Sequence, residues 1–190
     1  KINLGVGVYK DNMGLTPVLK CVKEAEGRIE AEQTTKNYLP MAGSPDFGRL
    51  TQKLLFGEDH EVISSGRCCT AHSPGGTGGL RVGAETAKGF SENASIWMSK
   101  PTWANHKGIF GNAGMAIKEY PYYNPETKDV DWDGMREVLG KIPAGDVVLL
   151  HVCCHNPTGV DLIPDQWQEV ADQAKARGWI PFLDFAYQGF

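Results

Sequence analysis

Apolar and polar positions alternate along this chain with two different periods. Asp146-Val147-Val148-Leu149-Leu150 is a short continuous apolar run, the pattern of a strand buried on both faces. Asn156-Pro157-Thr158-Gly159 then predicts a turn that stops the chain abruptly. Upstream, Ser95-Ile96-Trp97-Met98 and Ala116 to Tyr120 read as strands, with a helix between them that starts near Trp103 and contains Ile109 and Phe110. Asp131 is placed to cap a helix presenting Trp132, Met135, Val138, Leu139 and Ile142 on one face. Pro164 opens another, with Trp167, Val170, Ala171 and Ala174, closed by Gly178. Trp179 to Leu183 forms the last strand, delivering Asp184, with Tyr187 three residues on. This rhythm predicts an α/β fold with a mainly parallel sheet and flanking helices.

The first third is less regular. Ile2 to Lys10 is glycine-punctuated and partly extended, and Gly5 and Gly7 would let backbone approach a ligand or simply mark a bulge. Pro17 predicts a helix start, with Val18, Val22, Ala25 and Ile29 at helical spacing. Gln33 to Pro40 is a polar loop carrying Tyr38, and a second helix is expected from Ser44-Pro45 through Leu50, Leu54 and Leu55 to Gly57. Residues 1–16 are expected to contribute to a substrate site, and residues 17–190 to be part of a larger cofactor-binding domain. The missing initiator Met, and an end just after a strand, read as a fragment.

Bulk properties change this picture little. A length of 190 residues supports one good core, and 41% hydrophobic with 22% charged residues is ordinary for a globular protein. The net charge of -4 gives no reason to expect nucleic acid or an acidic membrane as partner. No apolar run approaches membrane-spanning length. Five cysteines, an odd number with no secretion signal, point to free thiols in a reducing compartment, the cytoplasm.

Candidate chemistry sits where predicted strands end. Ser73-Pro74-Gly75-Gly76-Thr77-Gly78-Gly79 opens a helix, so its free N–H groups could hold a phosphate or merely form a flexible turn. It is neither a P-loop nor a dinucleotide fingerprint, because Arg81 occupies the third glycine position. Trp103, Asn156, Asp184 and Tyr187 each follow a strand, where open α/β sheets bind ligands. Together they match the needs of pyridoxal 5'-phosphate: N–H donors for phosphate, an aromatic for the ring, neutral donors for the phenolic oxygen, a carboxylate for the pyridinium nitrogen. A rival is a metal site from His151, Cys153 and His155 on one face of an extended segment. Structural zinc usually draws ligand pairs from two clusters, and no second cluster is present, so no metal is expected. A nicotinamide dehydrogenase would share the rhythm but lacks its glycine fingerprint.

The chain resembles the first half of an aspartate aminotransferase, of the fold type I pyridoxal-phosphate enzymes. The resemblance runs through Gly5 to Lys10, Lys36 to Leu39, Pro74 to Gly78, Cys153 to Gly159 and Asp184 to Phe190, in that order. It implies that Gly75, Gly76 and Thr77 hold the cofactor phosphate and that Tyr38 reaches the phosphate in a neighbouring subunit of a homodimer. It implies Trp103 stacked on the pyridine ring and helping to place the substrate carboxylate. Asn156 and Tyr187 would bond the phenolic oxygen, Asp184 the pyridinium nitrogen, and Gly7 the substrate. His106 and His151 resemble the residues that hold Asp184, the alternative being core histidines. Val8, Lys10, Thr16, Asn37 and Thr77 resemble the branch that uses L-aspartate and 2-oxoglutarate, whereas Leu39-Pro40-Met41 is similar to the aromatic branch. The family's Schiff-base lysine stands in a Ser-x-Ser-Lys motif, and no lysine here does; Lys107 is expected to be a helix-surface residue. Its carboxylate-binding arginines are also unmatched. An inactive half-domain or a binding scaffold is the non-enzyme reading.

Overall fold

A computed structural model describes residues 7–189, so the expected extended start at Ile2, together with Gly5 and Phe190, lies outside the described residues. The chain divides into two compact units at residues 44 and 45. The first contains one helix, α1 (Lys20–Glu32), which begins three residues after Pro17 and buries none of its side chains. Val22 and Ile29, spaced as on an amphipathic helix, are exposed, as is all of the loop from residue 33 to residue 40.

The second unit is built on four parallel strands: β1 (Ser95–Lys100), β2 (Ala116–Pro121), β3 (Val147–His151) and β4 (Ile180–Asp184). Their order across the sheet is β2-β1-β3-β4. Val147 and Leu149 of β3 point to one face, Val148 and Leu150 to the other, and the whole strand is buried. One face is covered by α2 (Gly75–Phe90) and α3 (Ala104–Asn112), whose Leu80, Ala84, Ala87 and Phe110 pack with Ile96, Met98 and Phe182. The opposite face carries α4 (Trp132–Leu139) and α5 (Pro164–Arg177), packing Met135, Leu139 and Val170 against Val148, Leu150 and Tyr120. This is the three-layer arrangement that a continuous apolar strand requires.

Local details follow from residue chemistry. Helix α2 starts inside the glycine run, at Gly75, rather than after it. A Cβ at Gly83 would stand 2.5 Å from the Phe182 ring, so this glycine lets α2 lie directly on β4. Asp131 caps α4 through the Gly134 N–H. Helix α5 runs from Pro164 to a left-handed Gly178, as expected. Pro181 is tolerated in β4 because that strand has β3 on only one side among the described residues. The Asp146 carboxylate, just before β3, accepts from the Ser95 backbone N–H at 2.9 Å and from Trp97 Nε1 at 2.8 Å, pinning β3 to β1.

Three further elements belong to this unit: helices Pro45–Phe56 and Glu61–Ser64, and the two-stranded pair Tyr123–Asn124 with Asp129–Val130. The first was expected, the second was not, and the third replaces a simple turn. No helix among the described residues is long and apolar enough to cross a membrane.

Candidate active site

The chain leaves β1 toward β2 on one side, then returns past β1 to add β3 and β4 on the other. The order therefore reverses between β1 and β3, and a crevice opens at the carboxyl ends of strands at such a point. Trp103 follows β1, His151 ends β3 with Asn156 beyond it, and Asp184 ends β4 with Tyr187 beyond it. In the β3–β4 register His151 and Asp184 are direct partners. Trp103, Asn156, Asp184 and Tyr187 are all partly buried.

Asp184 is the best-held of these groups. Its Oδ2 lies 3.0 Å from His106 Nε2, and its Oδ1 accepts from the Ala186 backbone N–H at 3.2 Å. Burial pushes the carboxyl pKa up, but the hydrogen bond and charge of His106, then the His151 ring and the Ala186 N–H, outweigh it. The net direction is downward, so the carboxylate is ionised. An ionised carboxylate only accepts, which makes His106 Nε2–H the donor, while the other ring nitrogen, Nδ1, lies 2.8 Å from the Thr102 hydroxyl. His106 is completely buried and comes from α3, so one helix positions the partner of a carboxylate 78 residues later.

Around this pair five rings form a continuous row. Trp103 meets His106 edge-on at 5.3 Å between centroids, His106 lies 5.2 Å from His151, His151 lies 4.3 Å from His155, and His155 stacks flat on Tyr122 at 3.9 Å. Burial, then the neighbouring His106, lowers the His151 pKa to about 4. Burial, then His151, lowers that of His155 to about 3. Both rings are neutral near pH 7. Neither ring nitrogen of His151 has a hydrogen-bond partner although both are buried. Buried polar atoms are rarely left unpaired, so the crevice suits a ligand with polar groups of its own.

The second part of the site is the start of α2. Pro74 stands at the cap position and no side chain caps the helix. Gly75, with φ of +67°, Gly76 and Thr77 are exposed, and a Cβ at either glycine would meet nothing within 4 Å. This is open backbone at the positive end of a 16-residue helix, suited to an anion. A cavity of ≈ 370 Å³ beside it, between α2 and α3, is lined by Thr77, Arg81, Asn105 and Asn112. It does not reach Asp184, so the strand-end crevice remains the better candidate for chemistry.

Of the other expected residues, Gly7 and Tyr38 belong to the first unit, and both are exposed. Lys107 is on the surface of α3, donating to Glu119 at 2.6 Å. The five cysteines are free. Ligand atoms of His106, His151 and Asp184 fall within 4.8 Å of one another, a set whose donor types could hold a divalent ion, in place of the His151, Cys153 and His155 grouping. Two of its atoms already share the His106–Asp184 hydrogen bond. Sequence reasoning missed Ser99, Thr102, Tyr122 and Asp161, which bond or stack on the histidines and the turn between them.

These features coincide with a known family. The model of the class I and II aminotransferases matches residues 1–190. An aspartate aminotransferase of Haemophilus influenzae is 53% identical over 189 residues, covering 100% of this chain and 48% of that protein. Among solved structures, an aromatic-amino-acid aminotransferase from Burkholderia pseudomallei, covalently bound to pyridoxal phosphate, superimposes with a TM-score of 0.94 at 45% identity. It covers 100% of this chain and 48% of its own. A psychrophilic aromatic amino acid aminotransferase from Psychrobacter sp. B6, cocrystallised with aspartic acid, gives 0.94 at 44% identity with the same coverage. The chain thus spans about half the length of the relatives it matches. It is a member of the class I and II aminotransferase family, carrying part of that family's α/β fold.

Proposed function

We propose that this chain is the N-terminal half of a pyridoxal-phosphate aminotransferase that moves the amino group between L-aspartate and 2-oxoglutarate. The observation that carries the reading is Asp184, an ionised, largely buried carboxylate fixed by His106 at the switch point of a parallel sheet. Such a carboxylate is costly to bury without a cationic partner, and a pyridinium nitrogen would be one. At about 4 Å and an effective dielectric near 20 the attraction is roughly 4 kcal/mol.

The residues present fit the cofactor. Gly75, Gly76 and Thr77 would hold its phosphate on open N–H groups, Trp103 would cover the ring face, and Asn156 and Tyr187 would donate to its phenolic oxygen. His106 and His151 would keep Asp184 oriented and the crevice dry. When bound, pyridoxal phosphate supplies an electron sink for the pair left when an amino acid loses its α-proton. Asp184 raises the value of that sink by keeping the ring nitrogen protonated. Gly7 would offer backbone to the substrate, and Tyr38 would reach the cofactor phosphate of a second subunit, making the protein a homodimer. No lysine of this sequence stands in the family's Ser-x-Ser-Lys motif, so the α-proton is expected to be moved by a lysine supplied elsewhere in the complete, cytoplasmic protein.

Aspartate is favoured by Val8, Lys10, Thr16, Asn37 and Thr77, and by the aspartate aminotransferase relative. The aromatic reading draws on Leu39-Pro40-Met41 and on the two solved aromatic aminotransferases, one of which was nonetheless cocrystallised with aspartic acid. The test is oxaloacetate formation by the complete protein with pyridoxal phosphate, aspartate and 2-oxoglutarate, in parallel with tyrosine in place of aspartate. Faster turnover of tyrosine would move the assignment to the aromatic branch. The 190-residue chain alone should give no oxaloacetate above a cofactor-only control, and no amino transfer by the complete protein would leave a binding scaffold as the better reading.

A further inference from the structure

The turn that carries Asn156 is gripped from two sides by groups to which no role has been given. Asp161 closes it from below. Its Oδ2 accepts from the Cys154 backbone N–H at 2.7 Å, and its Oδ1 from the His155 N–H at 2.8 Å. Two consecutive N–H groups on one carboxylate are charge-assisted hydrogen bonds, stronger than neutral ones. They act where the backbone is least ordinary, since Cys154 has φ of +52°, a left-handed conformation uncommon for a residue with a side chain.

The other grip is His155, 2% exposed. Its Nε2 lies 2.9 Å from Ser99 Oγ at the end of β1, its Nδ1 lies 2.8 Å from Thr158 Oγ1, and its ring is stacked flat on Tyr122. Its carbonyl accepts from the Gly159 N–H at 2.7 Å. Asn156 is thus held between a residue fixed in the core and a turn closed on itself. Among the described residues the one anion bonded to this backbone is Asp161, which stands five residues beyond Asn156 and is itself exposed.

We propose that Asp161 is a positioning residue for Asn156, fixing through its two backbone hydrogen bonds the direction in which the Asn156 amide enters the strand-end crevice. This rests on the reading above, in which Asn156 donates to the phenolic oxygen of pyridoxal phosphate. Asp161 touches neither cofactor nor substrate. Its effect reaches them through the turn alone.

Asp161→Asn tests this, because it keeps the shape but turns one acceptor into a donor facing an N–H. Two readouts on the complete protein separate the outcomes. Amide hydrogen exchange of Cys154 and His155, measured without cofactor, should quicken about tenfold or more, as expected for loss of a hydrogen bond to a charged group. Exchange equal to wild type would overturn the proposal whatever the function is. The second readout is the pH titration of the bound cofactor's absorbance, which senses donors at the phenolic oxygen. Asn156→Ala should shift it, Asp161→Asn should shift it in the same direction, Asp161→Glu should shift it less, and the double variant should add little to Asn156→Ala. Fast exchange with a wild-type titration in Asp161→Asn would also overturn it. Should Asn156→Ala itself leave the titration unmoved, the cofactor assignment of Asn156 falls, and this proposal with it.

Discussion

The carboxyl ends of β3 and β4 and the start of α2 carry the two halves of the proposed cofactor site, and they hold their groups by different means. At the strand ends the central groups are fixed largely by side chains: His106 on Asp184, Thr102 on His106, Ser99 and Thr158 on His155, with Trp103 and Tyr122 closing the row of rings. At the helix start the groups offered are open backbone N–H at Gly75, Gly76 and Thr77 with the Thr77 hydroxyl, exposed and uncapped. Burial separates the two as well, since His106, His151 and His155 are core residues while the glycines face open space. A preorganised electrostatic group acts most strongly where water is excluded, and a phosphate needs only donors. Substitutions at the strand ends should therefore change rate, and those at the helix start should change cofactor affinity and leave the saturated rate alone.

The largest expected effect is at Asp184. Asp184→Ala in the complete protein should still take up pyridoxal phosphate but lose roughly 10²-fold or more in turnover, as for loss of one preorganised group. Asp184→Glu, with the charge kept but displaced, should fall between. Steady-state kinetics at saturating cofactor measures both.

Acid comes next. The folded pKa of His155, about 3, and of His151, about 4, lie below the ordinary value near 6.5 that the unfolded chain should show. His151 is faced by His106, Asp184 and Asp161, and His155 by His151 and His106. Between these values the unfolded state binds more protons than the folded one, so stability is complete above about pH 6.5 and drains as the pH falls toward 4. For one ring at pH 5 the loss is about 2 kcal/mol. Urea unfolding at pH 7 and pH 5 should show a drop that shrinks by about that amount in His155→Asn. A pH-independent midpoint would mean that these rings are not held neutral.

Gly75→Ala should be milder. Its φ of +67° would cost an alanine about 1–2 kcal/mol, while its Cβ would meet no neighbour. That strain burdens the fold with or without cofactor, so unfolding stability should drop by about that figure, while any shift of the N–H groups should weaken cofactor affinity and leave the saturated rate unchanged, as urea unfolding, fluorescence titration and kinetics together would reveal. Lys107→Ala should do least. Its pair with Glu119 is solvent-exposed, and surface pairs are worth about 0–1 kcal/mol. A large loss of activity there would put a catalytic lysine where the structure has a surface one.

Mixed dimers sharpen the same contrast from outside the second unit. If Tyr38 crosses between subunits, a Tyr38→Phe chain paired with wild type should weaken cofactor retention in its partner's site. Loss in its own site would contradict the crossing.

How much of this was legible in the chain depended on distance along it. The four apolar residues Val147 to Leu150 before the central turn, the Pro164 and Gly178 that bound α5, and the Asp131 cap are local signals, and all three lie where expected. The strand-end positions of Asn156, Asp184 and Tyr187 followed from the same pattern. Helix α2 was harder, because a glycine run has poor helix propensity and only the packing of Leu80, Ala84 and Ala87 under it overrides that. The His106–Asp184 pair came only from the family resemblance, and Ser99, Thr102 and Thr158 as partners of the histidines were not foreseen. Ser99 lies 56 residues before His155, and His106 lies 78 before Asp184. The Asp146 carboxylate, read simply as the start of a strand, reaches back 51 residues to Ser95. From His151, Cys153 and His155 alone a metal site was a fair rival, because nothing local shows that His155 is already satisfied by Ser99 and Thr158.

The division of work between the two ends is tested most directly by single-turnover α-proton loss from aspartate, measured side by side in Asp184→Ala and Gly75→Ala at saturating pyridoxal phosphate. The predicted result is a step slowed roughly 10²-fold or more in Asp184→Ala and near normal in Gly75→Ala. A near-normal step in Asp184→Ala would contradict the account, reducing the best-held carboxylate of the molecule to a structural role.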